Sequence, residues 1–188
     1  MKKFLASALS AALLLSALAG CSGSGSGSAS GSAPAGSGAS NGDKVVKIGV
    51  FEPASGDSAS GGKKEMLGMQ YANSETPTVT VGGQEYQIQL VYADNGSSTD
   101  KALTAATQLV SEGVSLVLGS YGSGVSIAAG PTFGNAGLPA IGVTCTNPMV
   151  TAGNDYYFRI CFLDPFQGTV LANFAMEKFQ AKTAYLLG

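Results

Sequence analysis

The sequence predicts an α/β domain whose mostly parallel sheet carries helices on both faces. Apolar segments of strand length alternate with segments of helical spacing from residue 44 to residue 188, which is the pattern of repeated strand–helix units. Apolar strands of this kind are typical of sheets that are covered on both sides. Because ligands of such sheets bind beyond the carboxyl ends of the strands, we expect the site in the loops there.

Each element is assigned from apolar spacing and from turn or capping residues at its ends. The strand segments are KVVKIGVF (44–51), two segments of TVTVGGQEYQIQLVYAD (78–94) joined by the turn Gly82-Gly83, VSLVLG (114–119), LPAIGV (138–143), YYFRICF (156–162) and TAYLLG (183–188). The helical segments are KKEMLGMQYAN (63–73), SSTDKALTAATQLVSEG (97–113) with Leu103 among its apolar positions, the stretch 125–135, and PFQGTVLANFAMEKF (165–179). The last strand segment has no covering helix after it, so we expect the chain to be a fragment.

The first 43 residues have a different composition and a predicted role in export. Two lysines precede the apolar run Phe4–Leu18, and the string LAGC ends at Cys21. This is the layout of a secretory signal peptide, and a Cys directly after the cut resembles the lipobox of bacterial lipoproteins. We expect a signal peptide over 1–20, then a lipidated Cys21 and a flexible Ser/Gly-rich tether over 21–43. The alternative is a plain signal peptide in which Cys21 is incidental.

The composition argues against several classes of function. A formal charge of −2 is unfavourable for nucleic-acid binding, which depends on clustered Lys and Arg. The chain contains no His, so the usual general base and the commonest metal ligand are both missing. We therefore expect no enzyme, no metal site and no cofactor. Cys145 and Cys161 either form a disulfide, as is possible outside the cytoplasm, or remain two small buried thiols.

The loop VLGSYGSGVSIAAG (117–130) is the first candidate site. It leads from a strand into a helix, and backbone N–H groups at a helix N-terminus attract anions. Its glycines form G-x-x-G-x-G, not the G-x-G-x-x-G of dinucleotide sites, so a carboxylate fits better than a nucleotide phosphate. Ser123, just before the predicted helix, can donate its hydroxyl. A loop whose glycines serve only tight turns is the alternative.

A second loop, GVTCTNP (142–148), has matching chemistry. It presents Thr144 and Thr146, which would point to the same side if the strand conformation persisted through them. Hydroxyl and amide donors bind a carboxylate and release it without chemistry. Alternatively, Thr146 is only a turn residue before Asn147-Pro148.

Taken together, these segments resemble a known family. The lipobox and tether, KIGVFEPASGD, SYGSGVSIAAGP, PAIGVTCTNP and YYFRICFLDPFQG resemble extracytoplasmic solute-binding proteins of branched-chain amino acid ABC importers, which have the type I periplasmic-binding-protein fold. The resemblance implies two lobes joined by three crossovers, with the ligand between them. It implies a first lobe over 44–163, and a crossover with the start of a truncated second lobe over 164–188.

The resemblance also implies roles for six residues: Tyr121, Gly122, Ser123, Thr144, Thr146 and Asp164. Ser123 would hold the ligand carboxylate. The loop of Thr144 and Thr146 would supply a backbone carbonyl and a hydroxyl to the ligand's ammonium and carboxylate groups. Tyr121 and Gly122 would line the side-chain pocket, and Asp164 would lie near the first crossover. The chain departs from the family at Gly61, where relatives often carry an aromatic residue, so we expect a pocket that is wider or differently shaped.

The implied function is capture of a small amino acid, with the branched-chain type favoured, and its delivery to an ABC permease. The protein would be a monomer, held at the membrane outside the cytoplasm by its lipid anchor. One alternative is a ligand-sensing receptor module on the same fold. The other is a secreted α/β hydrolase with Ser123 as nucleophile, against which stand the missing His and the missing G-x-S-x-G motif.

Overall fold

Strands and helices alternate through the part of the chain that the structure, a computed structural model, describes: residues 44–185 and residue 187. The strands are β1 (Val45–Glu52), β2 (Thr78–Val81), β3 (Gln84–Asp94), β4 (Leu116–Leu118), β5 (Ala140–Gly142) and β6 (Tyr157–Arg159). The helices are α1 (Ala59–Glu75), α2 (Thr99–Ser111), α3 (Ser123–Asn135) and α4 (Asp164–Phe179), with one 3-10 turn at Pro148–Val150. The predicted signal peptide, Cys21 and the tether lie outside the described residues.

The strands form one sheet in the order β2-β3-β1-β4-β5-β6. All neighbouring pairs are parallel except β2 and β3, which form an antiparallel hairpin. The hairpin turns at Gly82-Gly83, both with positive φ, as the turn dipeptide predicts. The predicted mostly parallel α/β sheet is confirmed, and its parallel strands all end at one edge.

The main core lies between the sheet and the helices α2 and α3. Phe51 and Val117 of the sheet, Leu109 of α2 and Phe133 of α3 are all fully buried. The ring of Phe133 meets the ring of Phe51 edge-on, with centroids 5.4 Å apart, a preferred geometry for aromatic pairs.

The opposite face of the sheet is covered by α1. Met69 of α1 is buried and lines a groove with Ile48 of β1 and Leu118 of β4. Helices thus cover both faces, as the sequence predicts.

One detail of the predicted elements is wrong. Residues 183–185, within the predicted last strand, have no strand structure. A strand needs a hydrogen-bonded neighbour, and no strand of the described residues pairs with this segment. Leu103 is 50% exposed, because the buried face of α2 consists of Ala102, Ala105, Ala106 and Leu109. That helical spacing turns Leu103 towards solvent.

The last helix differs from the others in its packing. None of the residues of α4 is buried, and Phe166, Leu171 and Phe174 are all more than half exposed. Helix α4 begins at Asp164, where the sequence predicts the crossover; the two-lobe division itself stays a prediction. None of the described helices has the length and hydropathy needed to cross a membrane.

Candidate functional site

The loops that follow β1, β4 and β5 meet at the carboxyl edge of the sheet, where the sequence predicts the site. Glu52, the last residue of β1, accepts the N–H of Tyr121 on Oε2 at 2.8 Å. Ser123 Oγ accepts the N–H of Asn147 at 3.2 Å. These two contacts tie the loop between β4 and α3 to the end of β1 and to the loop after β5.

Ser123 is the first residue of α3 and is partly buried. Because its Oγ accepts the Asn147 N–H, its own hydrogen remains available to donate. The first intrahelical bond of α3 runs from the Ser126 N–H to the Gly122 carbonyl, so the earlier N–H groups of the first turn have no helical partners. This combination of N–H groups, hydroxyl and helix dipole suits a carboxylate.

Thr144 and Thr146 have different surroundings. Strand β5 ends at Gly142, so the strand conformation that would place both side chains on one side does not persist, and that premise is wrong. Thr144 is exposed and donates its hydroxyl to Glu65 Oε1. Thr146 is partly buried, and its carbonyl accepts the N–H of Asp164 at 3.1 Å. Whether either contacts a ligand stays a prediction.

Three of the predicted residues form one connected group. Asp164 bonds to Thr146, and Asn147, the next residue, donates to Ser123. The start of α4 therefore adjoins the start of α3 through the loop after β5. The predicted site at the strand ends and the predicted crossover lie next to each other.

Arg159, at the end of β6, holds this loop in place. Its guanidinium donates to the carbonyls of Cys145, Asn147 and Pro148 at 2.8–3.1 Å and to Thr151 Oγ1 at 2.7 Å. Sequence analysis missed it. The available signal was a lone Arg within an otherwise apolar strand segment, YYFRICF.

Tyr121 and Gly61 pack directly against each other. A Cβ atom at Gly61 would lie 2.4 Å from the Tyr121 ring, so the ring occupies space next to the helix where a side chain would stand. The space that an aromatic residue at position 61 would use is therefore occupied by the Tyr121 ring, which comes from the loop after β4. Gly122 follows with φ +107 and precedes the first residue of α3.

Gly119 allows β4 to approach β1 closely. A Cβ atom there would lie 2.2 Å from the Phe51 carbonyl oxygen and 2.7 Å from Glu52 Oε1. Its φ is +123, a conformation that L side chains rarely adopt. The loop that carries Ser123 can start beside Glu52 only because residue 119 has no side chain.

Glu52 is a buried acid that sequence analysis missed. Its side chain is 1% exposed. Burial, and secondly the hydrogen bond to the neighbouring Glu65 carboxyl, raise the pKa of Glu52 to about 9. The only signal in the sequence was an acidic residue directly after an apolar strand and before Pro53.

Asp94 and Asn95, where β3 ends, hold the loops that follow β1 and β4, respectively. The Asp94 carboxylate accepts the N–H groups of Ala54 and Gly96 at 2.8 Å and the Ser55 hydroxyl at 2.6 Å. Burial opposes ionisation, but these hydrogen bonds outweigh it and lower the pKa of Asp94. Asn95, fully buried, donates to Ser120 Oγ at 2.8 Å.

The two remaining cysteines are separate thiols in the structure. Cys145 is buried and Cys161 is partly buried, and both are free. Burial, followed by the proximity of Cys161, raises the pKa of Cys145 to about 11. Of the two alternatives from the sequence, the structure has the pair of small thiols.

With this geometry in place, comparison with known proteins identifies the family. Residues 45–188 match the family described as "Periplasmic binding protein". The chain belongs to the periplasmic binding protein family. Its fold is the type I periplasmic-binding-protein fold, as the resemblance in the sequence implies.

Several periplasmic binding proteins are similar to this one. "Leu/Ile/Val-binding protein homolog 2" of Brucella abortus is 30% identical over 136 residues, which are 72% of this chain and 36% of that protein. The leucine-binding protein LivK of Thermotoga maritima is 34% identical, with a TM-score of 0.67, over 73% of this chain and 38% of that one. The branched-chain amino acid binding protein LivJ of Streptococcus pneumoniae, solved in complex with isoleucine, is 36% identical, with a TM-score of 0.67, over 74% of this chain and 40% of that one.

The matched part is less than half of each relative. This periplasmic binding protein chain spans 36% of the Brucella protein and 38–40% of the two structures.

The contact between Gly61 and Tyr121 predicts different changes in stability for two alanine substitutions in the same helix of this periplasmic binding protein. Gly68→Ala, where nothing lies within 4 Å of the new Cβ, should raise the free energy of unfolding by about 0.5–1 kcal/mol, because Ala is the better helix former. Gly61→Ala should lose this gain, because the Tyr121 ring must move. Chemical denaturation measures both.

The control combines Gly61→Ala with Tyr121→Ala. In the Tyr121→Ala background, Gly61→Ala should stabilise as Gly68→Ala does. Equal stabilisation by the two glycine substitutions with Tyr121 in place would show that the ring does not occupy the space beside Gly61.

Proposed function

We propose that the protein is the solute-binding component of an ABC importer and captures a branched-chain amino acid. The observation that carries this proposal is the position of Ser123: a hydroxyl free to donate, at the N-terminus of α3 and bonded to the loop of Thr146. The 36% identity to a binding protein solved with isoleucine supports the same class of ligand.

Different residues bind the carboxylate, the ammonium group and the side chain of the ligand. Ser123 and the first N–H groups of α3 hold the carboxylate, because both are hydrogen-bond donors at the positive end of a helix dipole. The loop of Thr144 and Thr146 supplies a carbonyl to the ammonium group and a hydroxyl to the carboxylate. Tyr121, packed on Gly61, and Gly122 shape the pocket for the aliphatic side chain.

Capture is completed by closure of two lobes. Residues 44–163 form the first lobe, and Asp164 begins the crossover into the second. The ligand binds to the first lobe, and contacts from the second lobe shift an existing equilibrium towards the closed form. The closed form then delivers the amino acid to the permease. The exposed apolar side chains of α4 are consistent with a helix that packs against a further part of the protein.

Binding takes place without turnover. The partner of Ser123 Oγ is a backbone N–H, and among the described residues no carboxylate, Lys or Arg forms a hydrogen bond with it. A serine nucleophile needs a base within hydrogen-bond reach. The site is therefore suited to reversible capture.

The protein acts outside the cytoplasm as a monomer. The signal peptide directs export, and a lipid on Cys21 holds the folded domain at the membrane through the Ser/Gly-rich tether.

Substitution of Ser123 tests the carboxylate site. In the complete protein, Ser123→Ala should weaken isoleucine binding by about 1.5–3 kcal/mol, because a hydrogen bond to a charged group is lost. Thr146→Ala should weaken it by about 1–3 kcal/mol if its hydroxyl contacts the carboxylate. Isothermal titration calorimetry with leucine, isoleucine and valine measures both.

Ser111→Ala is the matched control, since Ser111 is an exposed serine at the end of α2. It should bind as the wild type does. If Ser123→Ala binds isoleucine as tightly as Ser111→Ala, the carboxylate does not lie at the start of α3.

Substitution of Cys21 tests the anchor. Cys21→Ala should move the protein from the membrane fraction to the soluble fraction, because the lipidated thiol is lost. Cys161→Ala is the control and should remain with the membrane. Membrane association of Cys21→Ala equal to that of the control would contradict a lipid on Cys21.

A further inference from the structure

Glu52 and Glu65 connect two loops of the site: the loop after β4, taken as one wall, and the loop after β5, taken as the other. Glu52 Oε2 accepts the Tyr121 N–H at 2.8 Å, and Glu65 Oε1 accepts the Thr144 hydroxyl. The two carboxyl groups are neighbours, and a hydrogen bond between them contributes to the raised pKa of Glu52. These contacts therefore link β1, α1, the loop after β4 and the loop after β5.

Each carboxyl group of the pair has one oxygen that receives no hydrogen bond from the described residues, called here the inner oxygen. Glu52 Oε1 and Glu65 Oε2 are buried and have no hydrogen-bond donor among residues 44–185 and 187. Two ionised carboxylates so close together would repel each other, and a buried charge without a partner is costly. One shared proton removes the repulsion and gives both inner oxygens a partner.

Among the described residues, the elements packed around Glu52 supply no positive charge that would replace this proton. The backbone of Gly119, at the end of β4, lies against Oε1. Asn95, which directly follows β3, is neutral, and its backbone N–H donates to the Glu52 backbone carbonyl at 3.3 Å. From β6, Tyr157 donates its hydroxyl to the Gly119 carbonyl at 2.8 Å.

The titratable groups that face Glu52 are the Glu65 carboxyl of α1 and the Tyr157 phenol of β6. Neither is a cation. Within the described part of the chain, no Lys or Arg forms an ion pair with Glu52 or Glu65, and Arg159 is engaged with the loop carbonyls.

We propose that Glu52 and Glu65 are positioning residues that share one proton, and that this proton fixes Tyr121 and Thr144 on opposite walls of the site. Glu52 acts through the Tyr121 backbone, and Glu65 acts through the Thr144 hydroxyl. When the pair loses its proton, repulsion separates the two carboxylates and loosens both walls. The consequence for ligand binding rests on the proposed function; the shared proton does not.

The pH dependence follows from the raised pKa of Glu52, from an ordinary value of 4.5 to about 9. Between these values the folded protein holds a proton that the unfolded chain releases. The contribution of this proton to the free energy of unfolding is fully present below about pH 4.5 and is lost as the pH rises through 9. Residues 1–188 contain no His, so no imidazole from this part of the protein titrates between pH 6 and 8.

The first test is the pH profile of unfolding by denaturant on the complete protein. From pH 6 to pH 9 the folding equilibrium constant of the wild type should fall by up to about tenfold per pH unit. Glu52→Gln should remove this dependence, because its amide donates to Glu65 and still accepts the Tyr121 N–H. Glu75→Gln, an exposed acid at the end of α1, should keep it. A Glu52→Gln profile as steep as that of Glu75→Gln overturns the proposal.

A second measurement needs no variant. Titration of the glutamate side-chain carboxyl carbons of the wild type by ¹³C NMR should show one glutamate with a midpoint well above the rest. If every glutamate titrates near its ordinary pKa, the pair does not hold a proton and the proposal fails, whatever the fate of Glu52→Gln.

Measurements of isoleucine binding distinguish failure of this proposal from failure of the proposed function. Wild-type affinity should fall, relative to that of Glu52→Gln, by about twofold at pH 9 and about tenfold at pH 10, following the ionised fraction of Glu52. Titration of isoleucine itself affects both proteins equally. Parallel profiles would overturn the positioning role. Absence of isoleucine binding at every pH would count against the proposed function, while the unfolding profile would still decide the shared proton.

Discussion

The parallel pairing of β1 with both β3 and β4 is the constraint on which the site depends. In this register Glu52 stands opposite Asp94, and Val50 stands opposite Leu118. Three strands therefore end together, and their loops must share one edge of the sheet. The buried contact of Phe51 with Phe133 fixes the end of β1 against α3. Displacement of β1 along the sheet would separate every loop that lines the site.

At this edge, side chains bond mainly to the backbone of neighbouring loops. Asp94 binds the loop after β1, Glu52 binds the loop after β4, and Arg159 binds the loop after β5. Each loop is held by a group from a different strand, so the site is ordered before any ligand arrives. Among the described residues, the donors at this edge that donate no hydrogen bond include the Ser123 hydroxyl and the first N–H groups of α3. Preorganised donors of this kind reduce the entropic cost of binding.

The sequence was sufficient for features that depend on local pattern. The alternation of strand-like and helical spacing among the apolar residues predicted the order of strands and helices. The parallel topology then placed Ser123 and the loop of Thr146 at the same edge of the sheet. It was insufficient where partners lie far apart in the chain: Glu52 and Tyr121 are 69 positions apart. The strand conformation assumed for Thr144 and Thr146 does not reach them, because β5 ends at Gly142. Residues 183–185 of the predicted last strand pair with no strand of the described residues.

The most direct test of this account is the position of the ligand on the first lobe. We would titrate the complete mature protein, labelled with ¹⁵N, with isoleucine and follow the backbone N–H signals by NMR. The account predicts that the largest changes occur at Ser123, at the following N–H groups of α3, and at Asn147, whose N–H bonds to Ser123. Changes centred instead on the groove between Ile127, Pro131 and Met149 would contradict it.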